Sequence, residues 1–288
     1  MKSIFTDFNY PREKAIESMK TSIPAEMWKS NSEFVDSVRC LIRQHPVARH
    51  PAIEVLNKGE LSHEAMKIIH MEYRHAIVQI FTDALLMAQH QSRQLEPRLS
   101  PGSKMAPRFL LTLNVLDEFG FRPGFDEAKY YRGNPAYAHY PLFEAVLNDL
   151  GITEQERNEY VPSKIASEVR AFLEASYSDY SMIAALLAVA EEEVILYSPP
   201  LRKATGAIGV NVETGYYYVH GVTMDQTAEA ADDDHEDDLW LILIQACTPD
   251  RYQGLQAMCK KYCNLWDEFW SYQLRQLDLN KPDLAIVN

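Results

Sequence analysis

Helical periodicity dominates the pattern of apolar and polar positions along the chain. Apolar residues recur at three- and four-residue spacings, and no alternation of apolar and polar residues persists long enough to indicate a sheet. The pattern therefore predicts an all-α protein. The predicted helices span about residues 32–44, 62–92, 106–119, 140–150, 163–176, 178–196, 212–230, 233–247 and 250–275.

Turn-forming residues separate these helices without marking a boundary between domains. Pro101-Gly102 breaks the chain, and Ser198-Pro199-Pro200 is expected to end the helix that carries Glu191. A chain of 288 residues can bury one large core without dividing. We therefore predict a single helical domain over residues 1–288, with an N-terminal extension at 1–30, a helical core at 31–276 and a C-terminal tail at 277–288.

The charge balance argues against one class of partner. Acidic residues outnumber basic residues by 41 to 28, and the formal net charge of -13 disfavours a surface that binds phosphate backbones. No apolar stretch reaches membrane-spanning length, and MKSIFTDFNYPREK lacks the apolar segment of a signal peptide. We expect a cytoplasmic protein that binds neither nucleic acid nor membrane. Its expected partners are a small-molecule substrate and, in a homodimer, a second copy of the chain.

The segment LLTLNVLDEFGF contains the first candidate for chemistry. Glu118 ends an almost wholly apolar helical run, and Asn114 lies one turn earlier on the same face. Burying a charged carboxylate costs several kcal/mol unless a cation or hydrogen-bond donors compensate, so metal ligation is one explanation. The alternative is a helix end that reaches solvent at Gly120.

Two further segments add a histidine and a run of glutamates. His139 stands at the first turn of a predicted amphipathic helix, where it either faces a pocket or faces water. Glu191 begins three consecutive glutamates that follow an apolar helix, and steps of about 100° make at least one of them point inward. The helix phase favours Glu192 or Glu193 over Glu191.

The segment YYYVHGVTMDQTAEAADDDHEDDLWLILIQ is the strongest signal. His220 follows three tyrosines, and Asp232 and His235 stand three positions apart at the entry to an apolar helix. An acidic run suits a solvated helix N-terminus, but the histidine inside it favours metal ligation. Imidazoles and carboxylates without paired thiolates suit iron or manganese and can hold two ions.

Taken in order, five segments resemble the haem-oxygenase-like di-iron oxidases, which are helical relatives of TenA and PqqC. These segments are HPAIEVLNKGELSHEAMKIIHMEYRH, NVLDEFG, AHYPLFEAVLNDLG, AEEE, and YYYVHG with a later DxxH, and they span about residues 45–245. The resemblance implies a compact helical bundle that binds two iron ions. It implies the ligand set Glu118, His139, Glu191, His220, Asp232 and His235, with Asn114 orienting Glu118.

The sequence departs from the family pattern at two spacings. Glu118 and His139 are 21 positions apart, so FRPGFDEAKYYRGNPAYA is expected to loop out. Eight extra residues separate His220 from Asp232, which leaves Asp225 and Asp234 as alternative ligands. Glu191 is preferred because the 29 positions from it to His220 match the family spacing, and Glu192 stays an alternative.

The resemblance implies an O2-dependent non-haem di-iron oxidase or oxygenase. Its substrate would be a small amino-acid-derived molecule or a fatty acid, oxidised by N-oxygenation, desaturation or oxidative C–C cleavage in natural-product biosynthesis. Two alternatives stay open. One is a cofactor-independent TenA/PqqC-like enzyme or small-ligand-binding protein, and the other is a non-enzymatic helical interaction protein.

A ferritin-like bundle would also hold two irons, through Glu72-x-x-His75 and Asp232-x-x-His235. The apolar stripe of that helix places Glu72 and His75 on the solvent side, which argues against this architecture. His70 and the tyrosines at 216–218 are expected to line a substrate chamber.

Overall fold

The computed structural model describes residues 9–125, 131–220 and 231–279, and only the backbone at 123, 125, 231–235, 278 and 279. The helices in the N-terminal half are α1 Pro11–Thr21, α2 Ala25–Gln44, α3 Pro51–Lys58, α4 His63–Tyr73, α5 Phe81–Gln91 and α6 Met105–Glu118. Those that follow are α7 His139–Asp149, α8 Glu154–Glu159, α9 Lys164–Glu174, α10 Tyr180–Ala207, α11 Tyr216–Val219, α12 Ala231–Ala246 and α13 Tyr252–Leu279.

The all-α class is confirmed, with one small exception in the described ranges. Two short strands, β1 Phe121–Phe125 and β2 Tyr131–Gly133, pair antiparallel in a single hairpin. No described helix is both long enough and apolar enough to cross a membrane.

Helix α10 is the central element of the bundle. It packs against α3, α5, α12 and α13, and its residues from Ile183 to Ala190 are all buried. The prediction that Ser198-Pro199-Pro200 ends this helix is wrong, because α10 continues to Ala207. Each proline removes one backbone donor, but the following turn still buries Leu201 and Ala204 in the core. Tertiary packing thus outweighs the local preference.

The described part of the predicted N-terminal extension, residues 9–30, is largely helical. Helix α1 packs against α6 and buries Ala15 and Met19, and α2 begins at Ala25 rather than near residue 32. Helix α3 was not predicted either. It begins after His50, whose Nδ1 accepts a hydrogen bond from the Ala52 amide at 3.1 Å, and it ends at Gly59.

The segment predicted as one helix over 62–92 is divided. Helix α4 passes into a π-helical turn at Arg74–Val78, and α5 begins at Phe81. Such turns occur mostly inside α-helices at functional sites. The residues at this junction that line an internal cavity are Tyr73, Ile77, Val78 and Phe81.

The solvent position predicted for Glu72 is wrong. Its side chain is buried and accepts hydrogen bonds from Tyr160 Oη at 2.5 Å and from the Ser163 amide at 2.9 Å. The segment that leads into α9 therefore covers the face opposite the apolar stripe of α4. His75 is half-buried and lies near Ser167 on α9.

The hairpin returns the chain from the end of α6 to the start of α7. Phe121 pairs with Gly133, and the amide of Asn134 donates to the Gly120 carbonyl at 3.1 Å. Gly120 has φ +79°, and a Cβ there would lie 2.5 Å from the Asn134 carbonyl oxygen. Only glycine fits this junction. The segment expected to loop out between Glu118 and His139 thus contains two paired strands.

Candidate metal centre

Glu118, His139 and His220 meet at one point in the structure. They come from the last residue of α6, the first residue of α7 and the residue that follows α11. One potential ligand atom from each lies within 4.8 Å of the others. His139 Nδ1 is 2.9 Å from Glu118 Oε1, and the two imidazole rings are 4.3 Å apart. Residues separated by about 100 positions are thus brought together.

Glu191 lines the same cavity from the central helix α10. Asn114 Nδ2 on α6 donates to Glu191 Oε1 on α10 at 3.3 Å. The amide of Asn114 thus contacts the carboxylate of Glu191, and the expectation that Asn114 orients Glu118 stays a prediction. Asn114 Oδ1 is buried and has no hydrogen-bond partner among the described residues.

The three consecutive glutamates of α10 point in three directions. Glu191 faces the cavity, whereas Glu192 lies 3.8 Å from Arg39 Nε and Glu193 accepts hydrogen bonds from Tyr73 and Trp270. Burial raises the pKa of Glu193 to about 8. The helix phase favoured Glu192 or Glu193 because it assumed one inward face, but α10 is enclosed nearly all round.

Part of the predicted ligand set lies outside the described side chains. Asp225 is outside the described residues altogether. For Asp232, Asp234 and His235 the structure describes the backbone of α12 alone. Their ligand roles stay predictions.

The described end of the acidic run is not a simple solvated surface. Glu236 and Asp238 are buried and pair with Arg39 and Arg12, at 3.0 Å and 2.8 Å. Burial, followed by the neighbouring Glu192 carboxyl, raises the pKa of Glu236 to about 8. These ion pairs join the start of α12 to α1 and α2.

The cavity around the cluster is narrow and mostly apolar. Its volume of about 30 Å³ has room for metal ions or about two water molecules. Besides the four candidate ligands, the described side chains that line it are Tyr73, Ile77, Val78, Phe81, Tyr140, Val194 and Tyr216. None of these is a lysine or an arginine. A cation bound in this cavity would compensate the cost of burying Glu118 and Glu191, which are 5% and 3% exposed.

Asp117 is a residue of this site that the sequence did not reveal. Its Oδ2 lies 3.5 Å from His139 Nε2, and its Oδ1 lies 3.6 Å from Arg122 Nη1. His139 is therefore placed between two adjacent carboxylates of α6. The signal was the DE dipeptide at 117–118, but successive helix positions point about 100° apart, so a shared partner was not expected.

His70 lies behind the cavity wall rather than on it. Its Nδ1 donates to the Met66 carbonyl and its Nε2 accepts from Tyr217 Oη, both at 2.7 Å. Burial lowers the pKa of His70 to about 4, so the neutral form matches this arrangement. Of the three tyrosines expected to line a chamber, Tyr216 does so, Tyr217 is buried behind it and Tyr218 is exposed.

The donor set has a recognisable chemistry. Two imidazoles and one carboxylate with open positions are typical of non-haem Fe(II) sites that react with O2. Glu191 adds an oxygen donor in the same cavity. The described cysteines lie elsewhere, and burial raises the pKa of Cys247 and Cys263 to about 12, which keeps them as inert thiols.

Comparison with solved structures identifies the fold. A TenA homologue from Pseudomonas syringae pv. tomato has a TM-score of 0.58 at 12% identity, covering 86% of this chain and 93% of that one. A CADD-like protein of unknown function from Nostoc punctiforme has a TM-score of 0.60 at 12% identity, covering 86% and 99%. A TenA family transcription regulator from a Silicibacter species has a TM-score of 0.54 at 16% identity, covering 84% and 95%.

The sequence alone finds no such relatives. It matches no family model, and a search of the curated proteins finds no match either. At these identities the structural likeness establishes the fold and carries no information about the site residues. The chain has the compact helical fold of TenA-like and CADD-like proteins.

Proposed function

We propose that this protein is an O2-dependent non-haem di-iron oxidase or oxygenase. The observation that carries the proposal is the convergence of Glu118, His139 and His220 with Glu191 in a narrow, largely apolar cavity. Nitrogen and oxygen donors of this kind suit iron. Exposed acidic clusters often form without a metal ion, but this cluster is enclosed by α6, α7, α10 and α11.

The described residues fit one iron ion, and Glu191 offers one carboxylate ligand for a second. Glu118, His139 and His220 would hold the first. Glu191 would hold the second together with Asp232 and His235, whose side chains lie outside the description. The buried carboxylates would neutralise the charge of the ions, and no lysine or arginine among the described cavity residues competes for them.

Iron supplies the chemistry of O2 reduction, and the protein supplies the surroundings. Asn114 orients the Glu191 carboxylate through the hydrogen bond to Oε1. Asp117 lies beside His139 Nε2 and favours the tautomer that carries its proton on Nε2, which leaves Nδ1 unprotonated for a metal ion. The apolar wall formed by Ile77, Val78 and Phe81 keeps water from the reacting groups.

The cavity also limits the substrate. A space of about 30 Å³ does not accept a molecule as large as an amino acid unless wall side chains rotate or neighbouring segments move. The small amino-acid-derived or fatty-acid substrate that we propose rests on the family resemblance, and its binding would require such a rearrangement. N-oxygenation, desaturation and oxidative C–C cleavage are the reaction classes proposed, in natural-product biosynthesis. The cytoplasmic location and the homodimer stay predictions.

Anaerobic titration with Fe(II), followed by exposure to O2, tests the proposal. We expect two iron ions per chain and a transient absorbance change on O2 addition. His220→Ala is expected to lose iron, whereas His75→Ala, which changes a half-buried histidine outside the cavity, is expected to keep it. Equal iron content in the two variants would refute the site.

Two other outcomes separate the alternatives. Stoichiometric binding of a single iron would contradict the di-iron assignment while leaving an iron enzyme. Turnover of a substrate by the metal-free chain would instead favour the cofactor-independent reading.

A further inference from the structure

One wall of the cavity leads to a buried polar group that the proposed chemistry does not use. Tyr73 lines the cavity, and its hydroxyl donates to Glu193 Oε2 at 2.9 Å. Trp270 of α13 donates its indole N–H to Glu193 Oε1, also at 2.9 Å. A single buried carboxylate thus accepts from both a cavity tyrosine and the tryptophan behind it. Both donors are side chains that can lose an electron.

Ring contacts run from the candidate ligands to this unit without a break. The ring centroids of His220 and Tyr216 are 4.4 Å apart, those of Tyr216 and Phe143 are 4.9 Å apart, and those of Phe143 and Tyr73 are 6.4 Å apart. Tyr73 and Trp270 follow at 6.2 Å. Packed rings at these separations provide short steps for electron transfer through a dry interior.

The surroundings of Trp270 favour a positive charge on its ring. Tyr197 stacks on it at 4.3 Å with an interplanar angle of 4°, and the Glu193 carboxylate lies at its indole nitrogen. A π-face and an anion both stabilise a cation, and more strongly in a medium of low dielectric. Trp266 lies as close to Tyr73, at 5.9 Å, but no carboxylate among the described residues accepts from its indole.

We propose that Tyr73, Glu193 and Trp270 form a redox relay that transfers an oxidising equivalent away from the metal centre when no substrate is bound. The relay rests on the proposed function, because the oxidant is the metal centre after its reaction with O2. Tyr73 first loses one electron, which reduces the centre by one electron. Its O–H bond breaks in the same step, and the proton moves to Glu193 Oε2.

The second step moves the radical away from the cavity. Trp270 gives one electron to the Tyr73 radical, and the proton returns from Glu193 to the phenolic oxygen. The products are an intact Tyr73 and a Trp270 radical cation that still donates its N–H to the Glu193 carboxylate. An external thiol or other one-electron reductant restores Trp270. The cavity residues are thereby spared oxidation.

Electron paramagnetic resonance after mixing the iron-loaded chain with O2 at a pH above 8, without substrate, tests the relay, because Glu193 has a pKa of about 8 and accepts the Tyr73 proton only when ionised. With ring-deuterated tryptophan in the otherwise unchanged chain, we expect the hyperfine pattern of a tryptophan radical to narrow. Trp270→Phe is expected to leave the radical on tyrosine, and Tyr73→Phe to abolish it. Trp266→Phe is the matched control and is expected to leave the signal unchanged. Iron content and thermal unfolding are measured for every variant.

A metal-free arm separates failure of the relay from failure of the proposed function. Azide radicals generated by pulse radiolysis oxidise both tyrosine and tryptophan, and the decay of tyrosine-radical absorbance into tryptophan-radical absorbance reports transfer in the direction of the relay. We expect this transfer to be lost in Tyr73→Phe and Trp270→Phe and kept in Trp266→Phe. If the chain binds no iron, the proposed function fails and this arm alone decides on electron transfer between Tyr73 and Trp270. Identical behaviour of all three variants overturns the relay.

Discussion

His139 shows how single residues define the candidate metal centre. Its two ring nitrogens face two carboxylates of α6, with Nδ1 at 2.9 Å from Glu118 and Nε2 at 3.5 Å from Asp117. If Nδ1 binds the ion beside Glu118, Nε2 carries the proton, and the Asp117 carboxylate lies beside it. A histidine ligand whose second nitrogen is held in this way binds metal more tightly.

Replacing Asp117 tests this role. Asp117→Asn removes the charge that favours the Nε2–H tautomer, and we expect Fe(II) affinity to fall by about tenfold. Anaerobic calorimetry of Fe(II) binding measures the change. Asp149→Asn, at an exposed position on α7, is the control and should bind iron as the unchanged chain does. Equal affinities in the two variants would remove Asp117 from the site.

Residues of the site differ in how far the sequence predicts them. Glu118, Glu191, His139 and His220 were named from apolar context and segment order, and they surround one cavity, although their ligand role stays a prediction. Hydrogen bonds between side chains on different helices could not be predicted from the sequence. Asn114 on α6 hydrogen bonds to Glu191 on α10, and no spacing within one helix encodes that contact.

The secondary-structure elements also differ in how far the sequence predicts them. Periodicity predicted the class and most of the long helices, because burial of a helix face leaves a regular pattern. It failed where tertiary packing decides. The continuation of α10 through Pro199-Pro200 depends on the buried turn that follows, and the burial of Glu72 depends on the segment before α9. Helix α3 has only eight residues, which is too few for periodicity to establish.

The hairpin between α6 and α7 sets the distance between two candidate ligands, and Gly120 is its critical residue. A Cβ at Gly120 would lie 2.5 Å from a backbone oxygen, whereas a Cβ at Gly209 would meet nothing within 4 Å. Both residues have positive φ, so the alanine variants share the backbone strain. The clash is specific to Gly120.

We therefore expect Gly120→Ala to be more destabilising than Gly209→Ala, by about 2 kcal/mol in the free energy of unfolding. Urea denaturation of both variants measures the difference. Gly120→Ala should also weaken Fe(II) binding, because the hairpin would no longer hold His139 against Glu118. Equal unfolding free energies would mean that the junction adapts at little cost.

Stability of the whole molecule depends on buried polar groups that link distant helices. His70 joins α4 to α11 through Tyr217, and Tyr216 beside it contacts His220. Burial lowers the pKa of His70 to about 4 from the 6.5 of an exposed histidine. Between these two values the unfolded chain binds a proton that the folded chain does not.

The folded state should therefore lose stability as the pH falls from 6.5 towards 4. The full shift corresponds to roughly 3 kcal/mol, present above pH 6.5 and progressively lost below it. Chemical denaturation of the metal-free chain across this range measures the slope. His70→Gln should be less stable at neutral pH yet show a shallower slope, because no imidazole remains to bind the proton. His63→Gln, at an exposed position on the same helix, should keep the slope of the unchanged chain. A slope equally steep in His70→Gln would assign the acid sensitivity to other groups, and the link between α4 and α11 would then not depend on a neutral His70.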